Sequence, residues 1–308
     1  MRAVLFPGQG SQYVGMARDF YEKYSSVKKN FEIVDATLGF SLSKIILDGP
    51  EEELKLTKNA QPAIMTIGVS IFNVLNEKLS LNLKKSKFFA GHSLGEYTAL
   101  VCSGSLTLEK AAYLLYQRGK AMQEAVPKGE GLMVAILGMN IGEVEEITNF
   151  VQKDGLCEIA NDNTDGQIVV SGKKSGIEKL LQVLKVRKKK GIILPVSAPF
   201  HCSLMKKASE EMASKIESTN FLNPSPAIIS NVTAKDEVDA KTIKSLLVKQ
   251  ITSRVRWRES VNYMIKEGVM NFIEIGPGKV LSGLVKKINK HAKITNVNST
   301  EDLKDDKF

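Results

Sequence analysis

The stretch KFFAGHSLGEYTAL, residues 87–100, decides how the chain is read, because it sets Ser93 between two glycines where an apolar strand turns into a helix. The G-x-S-x-G pattern suits a sharp strand-to-helix turn, since side chains at Gly91 and Gly95 would collide with neighbouring backbone. Alone the pattern is weak: three positions at roughly 7% each give about one chance match per ten chains of this length. Context strengthens it, because KFFA reads as a strand and LGEYTALVCSG as a helix ended by Gly104. Ser93 is then either a helix cap or a nucleophile. The helix start offers the amide of Leu94 to a developing oxyanion, which favours the nucleophile.

Outward from this turn the pattern is α/β. RAVLF at the start reads as a buried strand, followed by the glycine-rich loop PGQGSQ and a helix from Met16 to Tyr24. AQPAIMTIGVSIFNVLNEKL places Pro62 near a helix start and Ile64, Ile67, Ile71, Val74 and Leu75 on one stripe, the mark of a core helix. Thr107 can cap a further helix through about Val126. After Pro127 the rhythm changes: strand LMVAIL, helix Ile141 to Val151, strands CEIA and QIVVSG, helix Ser175 to Lys188, strand GIILPV. That β-α-β-β-α-β order is the ferredoxin-like arrangement, a small subdomain over 127–195 inserted in a larger one over 1–126 and 196–308. Beyond Pro195 the reading continues with a helix over 202–219, strand AIIS, helices near 240–250 and 257–267, strand NFIEI, then GPGK and a helix.

Composition narrows the function classes. A chain of 308 residues with 43% apolar content can bury a sizeable core, and no run approaches the roughly 18 apolar residues of a membrane span. MRAVLFPGQG has too short an apolar core for a signal peptide, so no export is expected. Cys102, Cys157 and Cys202 are odd in number and lack C-x-x-C spacing, which suggests neither a disulfide framework nor a zinc site and fits a reducing cytoplasm. The net charge of +9 favours anionic partners. The densest basic run, KVRKKK at 185–190, closes a helical stretch and carries no interleaved aromatics, so it reads as a solvated face and not as a nucleic-acid site.

A serine nucleophile needs a base, and the chain has three histidines. His92 adjoins Ser93 in the turn and should be directed elsewhere; His291 lies among lysines near the C-terminus. His201 remains, in PVSAPFHCSLM, after two prolines and at the mouth of a helix. The alternative is a helix-start histidine without chemistry. No acid is marked to complete a hydrolase triad: Asp154, Asp162 and Asp165 fall in turn-like surroundings. In the helix from Thr107, Arg118 interrupts the apolar face of Ala111, Leu114, Leu115 and Met122. A guanidinium there either snorkels, meets an internal carboxylate, or waits at a cleft for an anionic ligand.

Seven blocks occur in one order: FPGQGSQYVGM, QPAI, GHSLGEYTAL, YQRGKAMQEA, PVSAPFHCSLM, LLVKQITSRVRW and FIEIGPGKVLSGLVKKI. With them the chain resembles, over nearly its whole length, the acyltransferase family of malonyl-CoA:acyl-carrier-protein transacylases. The resemblance implies an α/β-hydrolase-like large subdomain, an inserted ferredoxin-like small one, and an active site in the gorge between them. It makes Ser93 the nucleophile, His201 the base, Arg118 the clamp for the malonyl carboxylate, and the amides of Gln9 and Leu94 the oxyanion hole. The backbone carbonyl of Gln250 then orients the histidine in place of an acid. Asn161 and Asn163 match a loop facing the cleft, although NDNTDG departs from the more usual Asn-x-Asn-Ser-Pro. Phe200 before the histidine goes with malonyl over methylmalonyl in related domains. Implied partners are malonyl-CoA and acyl carrier protein, with no metal or redox cofactor, acting as a monomer in fatty acid biosynthesis.

Overall fold

Ala3, Val4, Leu5 and Phe6 are completely buried, which requires cover on both faces of their strand, as parallel sheets provide. In the computed structural model, which describes residues 1–78 and 82–303, ten strands occur among the described residues. They are β1 (Arg2–Phe6), β2 (Phe88–Gly91), β3 (Gly131–Leu137), β4 (Cys157–Thr164), β5 (Gln167–Lys173), β6 (Lys190–Ile193), β7 (Ala227–Ile229), β8 (Asp236–Glu237), β9 (Asn271–Ile275) and β10 (Lys293–Val297).

The larger sheet has the order β10-β9-β1-β2-β7-β8. All its pairings are parallel except β7 with β8. In such a sheet ligands gather beyond the carboxyl ends of the strands. Here the ends of β1 and β2 release the Pro7–Gly10 loop and the Ser93 turn side by side, with the His92 amide donating to the Phe6 carbonyl at 3.0 Å. The smaller sheet, order β4-β5-β3-β6, is antiparallel throughout. Helices Ile141–Val151 and Lys174–Val186 complete its core with Val144, Ile147, Ile177 and Leu180.

Two helices form the floor of the site. Thr57–Lys78 is buried along most of its length, and Leu108–Glu124 starts at Thr107, whose side chain accepts from the Lys110 amide at 3.3 Å. Gly119 lets the second helix touch the start of the first, because a Cβ there would stand 2.6 Å from the Lys58 Cα and the Thr57 carbonyl oxygen. The close crossing brings Arg118 against Gln61.

Several sequence expectations shift. The core helix begins at Thr57, so Pro62 sits inside it; amides of Asn59 and Ala60 already fold back onto Leu56. The helix expected from Met16 to Tyr24 spans Arg18–Lys23, and a further helix that the sequence reading did not place, Ser25–Leu38, follows it directly. The expected helix over 202–219 resolves into a 3-10 turn, Ser203–Met205, followed by Lys206–Ser218. The strand GIILPV stops at Ile193, because Pro195 has no N–H for the ladder, and Leu194, Pro195 and Val196 instead line the pocket described below. The polar edge strands β8 and β10 lack the apolar signature that would announce them.

The largest correction concerns CEIA. The strand β4 runs on through Asn-Asp-Asn-Thr, and Asp162, expected in a turn, is buried within it. It accepts two prongs of Arg258, from Nε at 2.9 Å and from Nη2 at 2.9 Å. Main-chain bonds from the Val255 amide to Ala160 at 2.8 Å and from the Asp162 amide to Val255 at 3.0 Å extend the strand against a segment distant in the chain. Val255 lies far along the chain, outside any window in which periodicity is read.

Candidate active site

Ser93 occupies the turn between β2 and the helix Gly95–Cys102 in left-handed conformation, φ 54°. A non-glycine residue there costs roughly 1–2 kcal/mol, so its neighbours must hold it. The flanking glycines are sterically required: a Cβ on Gly91 would fall 1.9 Å from Gly95 backbone, and one on Gly95 would fall 2.3 Å from the Phe6 carbonyl oxygen. Asn231 brackets the turn, its Oδ1 accepting the Ser93 amide at 2.7 Å and its Nδ2 donating to the Gly91 carbonyl at 2.7 Å.

His201 also has a left-handed backbone, φ 58°, and lies in the loop before Ser203–Met205. Its Nε2 is 2.8 Å from Ser93 Oγ and its Nδ1 is 2.9 Å from the Gln250 main-chain oxygen. A carbonyl can only accept, so Nδ1 carries the proton and Nε2 presents its lone pair to the serine hydroxyl. Burial, and then the charge of Arg118, press the imidazole down to about 3, against the pull of the Gln250 carbonyl. The ring is therefore a neutral acceptor throughout the physiological range.

Arg118 is fully buried and does not snorkel. Nη1 donates to Gln61 Oε1 at 2.7 Å, while Nη2 donates to Gln250 Oε1 at 2.9 Å and to Ser93 Oγ at 3.2 Å. Its face lies over the Tyr97 ring at 5.9 Å, and Nε has no partner among the described residues. Every hydrogen-bond partner of this cation is neutral, an arrangement that leaves it able to receive an anion.

These groups meet at a cavity of about 350 Å³ lined by Gln9, Gln61, His92, Ser93, Arg118, Asn161, Phe200 and His201, with Met122, Met133 and Leu194 among its apolar walls. Gln9 enters from the Pro7–Gly10 loop, which packs so tightly on the turn that a Cβ on Gly8 would stand 2.7 Å from the His92 carbonyl oxygen. Leu94 and Gln250 lie behind the wall, both buried. His92, expected to be directed away from the serine, bonds Asn163 Oδ1 through Nε2 at 2.9 Å; His291 is exposed and remote from this cavity. Asn161 faces the cavity, and Asn163 instead supports His92.

Three residues escaped the sequence reading. Gln61 sits in the quoted QPAI block without an assigned task. Glu96 is the one charged residue of its helix, GEYTALVC, a signal that was available. Asn231, after the strand AIIS, carries no local signal.

The family model for the acyl transferase domain matches residues 4–306. The chain belongs to that family. This acyltransferase is 45% identical over 303 residues to the malonyl CoA-acyl carrier protein transacylase of Bacillus subtilis strain 168, covering 98% of this chain and 94% of the relative. Its fold is similar to the crystal structure of an acyl-carrier-protein-S-malonyltransferase from Bartonella henselae, with TM-score 0.95, 45% identity and coverage of 98% and 96%. It is also similar to a malonyl-transacylase in complex with its type II PKS acyl-carrier protein, with TM-score 0.94, 38% identity and coverage of 98% and 97%. Among the described residues of the acyltransferase no helix is long and apolar enough to cross a membrane.

Proposed function

We propose that this chain transfers the malonyl group from malonyl-CoA to the phosphopantetheine thiol of acyl carrier protein in fatty acid biosynthesis, through an ester on Ser93. The observation that carries the reading is a fully buried guanidinium with only neutral partners, 3.2 Å from the hydroxyl that faces His201.

In this mechanism His201 Nε2 takes the Ser93 proton as Oγ attacks the thioester carbonyl. The amides of Leu94 and Gln9 receive the oxyanion; among the described residues neither donates to another protein atom. Each such donor is worth about 3 kcal/mol to a developing oxyanion. Collapse breaks the C–S bond, the imidazolium returns the proton to the departing CoA thiolate, and malonyl-Ser93 remains. The carrier thiol then gives its proton to His201, attacks the ester, and regenerates the serine. Arg118 holds the distal carboxylate through both steps. Phe200 in the cavity wall restricts space beside the malonyl α-carbon, which supports malonyl over α-branched units.

The subdomain division belongs to the same proposal: an α/β-hydrolase-like unit over 1–126 and 196–308 and a ferredoxin-like unit over 127–195. It is supported by the turn at Ser93 after a parallel strand and by the β-α-β-β-α-β order with sheet order β4-β5-β3-β6. A cytoplasmic setting is supported by three buried free cysteines. A neutral carbonyl behind His201, where a hydrolase would place a carboxylate, supports transfer to a thiol over hydrolysis.

Incubation with labelled malonyl-CoA tests the reading. Label should appear on Ser93 and pass to acyl carrier protein thiol faster than to water; release only as free malonate would overturn it.

A further inference from the structure

Glu96 stands in the first turn of the helix behind Ser93, its side chain buried. Its Oε2 accepts the main-chain amide of Asn231 at 3.0 Å and the Nε2 of Gln250 at 2.8 Å. Both donors lead back to the reacting groups. Asn231 brackets the Ser93 turn as described above. Gln250 donates from Nε2 to the Ser93 carbonyl at 3.1 Å, accepts Arg118 at Oε1, and orients His201 with its main-chain oxygen. One carboxylate oxygen is thus a single residue removed from the nucleophile, the base and the cation.

The Gln250 amide has two orientations of nearly equal shape, and only one serves this site. With Nε2 toward an acceptor, Oε1 faces the Arg118 guanidinium. Flipped, the amide would present N–H groups to a cation that only donates. An acceptor at Glu96 selects the first orientation. A carboxylate adds a second effect, since it supplies a counter-charge to Arg118 from behind Gln250 without occupying the guanidinium edges that a substrate would use.

Resting on the malonyl-transfer reading, we propose that Glu96 is a positioning residue of this site: through Gln250 and Asn231 its carboxylate sets the Ser93 turn, the His201 ring and the Arg118 guanidinium, and balances that cation while leaving it open to a substrate carboxylate. Its ionisation falls within reach of experiment. Burial raises the carboxyl to about 7, against the Asn231 amide, the Gln250 amide and the Arg118 charge; Glu237 raises it further. Tyr97, the next residue on the helix, is held neutral by burial, pushed up to about 12. His201 and His92 are both pressed below the ordinary imidazole value, so an inflection near 7 falls to Glu96.

The test uses the full chain with Glu96→Gln and Glu96→Leu, each checked for cooperative thermal unfolding. Phosphonylation of Ser93 by a small uncharged fluorophosphonate is followed from about pH 5.5 to 9, and kcat/KM is compared for malonyl-CoA and acetyl-CoA. The wild-type phosphonylation rate should rise with pH through an inflection near 7, as the carboxylate forms and strengthens its bonds. Glu96→Gln keeps an acceptor and loses the charge, so the inflection should vanish and the rate near pH 8 fall about tenfold. Folded Glu96→Leu should lose about 100-fold and also lower the malonyl-to-acetyl ratio at least about tenfold. A folded Glu96→Gln that keeps the wild-type inflection overturns the proposal, and so does a folded Glu96→Leu with an unchanged substrate ratio. If Glu96→Leu does not fold, the Glu96→Gln profile decides. A wild-type enzyme that is phosphonylated at Ser93 but moves no malonyl would overturn the malonyl reading, while the phosphonylation profiles still judge Glu96.

Discussion

His201 donates from Nδ1 to the main-chain oxygen of Gln250 at 2.9 Å, so the imidazole opposite Ser93 is oriented by a neutral carbonyl. A carbonyl fixes the tautomer as a carboxylate would but stabilises the imidazolium less, and burial with the Arg118 charge lowers the ring's basicity further.

A pH dependence of stability follows from that relationship. The folded imidazole titrates at about 3, below the roughly 6.5 of an unfolded histidine. Above both values neither state binds the proton. As pH falls below about 6.5 the unfolded chain takes it up first, and stability drops until pH approaches the folded value. Glu96, raised to about 7, has the opposite sign and gains relative stability as pH falls toward the ordinary carboxyl range. The two are separated by comparing wild type with His201→Gln: the urea midpoint of the variant should decline less between about pH 6.5 and 4. Identical slopes would contradict a buried neutral imidazole.

Replacing Arg118 separates the clamp from the fold. Arg118→Ala should reduce kcat/KM for malonyl-CoA by about 10² to 10³, because a buried charge pair with the substrate is lost, and reduce acetyl-CoA far less. Arg118→Lys should recover only part of the malonyl rate, since an ammonium cannot grip a carboxylate with two parallel bonds. Equal losses on both thioesters would show that Arg118 acts only through the geometry of Ser93 and Gln250.

The glycines around Ser93 should be intolerant for steric reasons that a control can isolate. Gly95→Ala would drive a methyl to 2.3 Å from the Phe6 carbonyl oxygen and 2.9 Å from that of Pro7, both main-chain atoms that cannot rotate away. A loss of about 3 kcal/mol or more is expected, read as a fall in thermal midpoint. Gly283, within the helix Val280–Ile288, has nothing within 4 Å of the position a methyl would take, so Gly283→Ala should stabilise by about 0.5–1 kcal/mol.

Asp162 and Arg258 give an asymmetric pair of predictions. The Asp162 side chain is 1% exposed and that of Arg258 21%. Arg258→Ala leaves a buried carboxylate without its cation and should cost about 3–5 kcal/mol. Asp162→Ala leaves a cation that can swing toward water and should cost less, about 2 kcal/mol. Chemical denaturation of both variants gives the comparison; equal losses would mean that Arg258 is as trapped as its partner.

Much of the site could be read from local pattern. The turn at Ser93 announced itself through glycines that sterics demand, and three histidines left a short elimination that ended at His201. Arg118 stood out because a cation interrupts an otherwise apolar helix face. The β-α-β-β-α-β order of elements from β3 to β6 was legible from alternating strand and helix periods. Local pattern failed at Asp162, where Asn, Asp and Thr resemble a turn until a distant backbone segment extends the strand through them. It also failed at Pro62, which lies deeper in its helix than a start signal suggests.

By itself the sequence determined the α/β class, most of the order of strands and helices, a short set of candidate site residues, and the family, because these depend on side-chain type and on periods of about two and 3.6 residues. Only the tertiary structure decided that Ser93, Arg118 and His201 line one cavity, that among the described residues the hydrogen-bond partners of Arg118 are all neutral, and that Gln250, Glu96 and Asn231 stand behind them. The physical reason is that orientation, desolvation and charge balance arise from contacts between segments far apart in the chain, and no local pattern encodes which buried groups those contacts bring together.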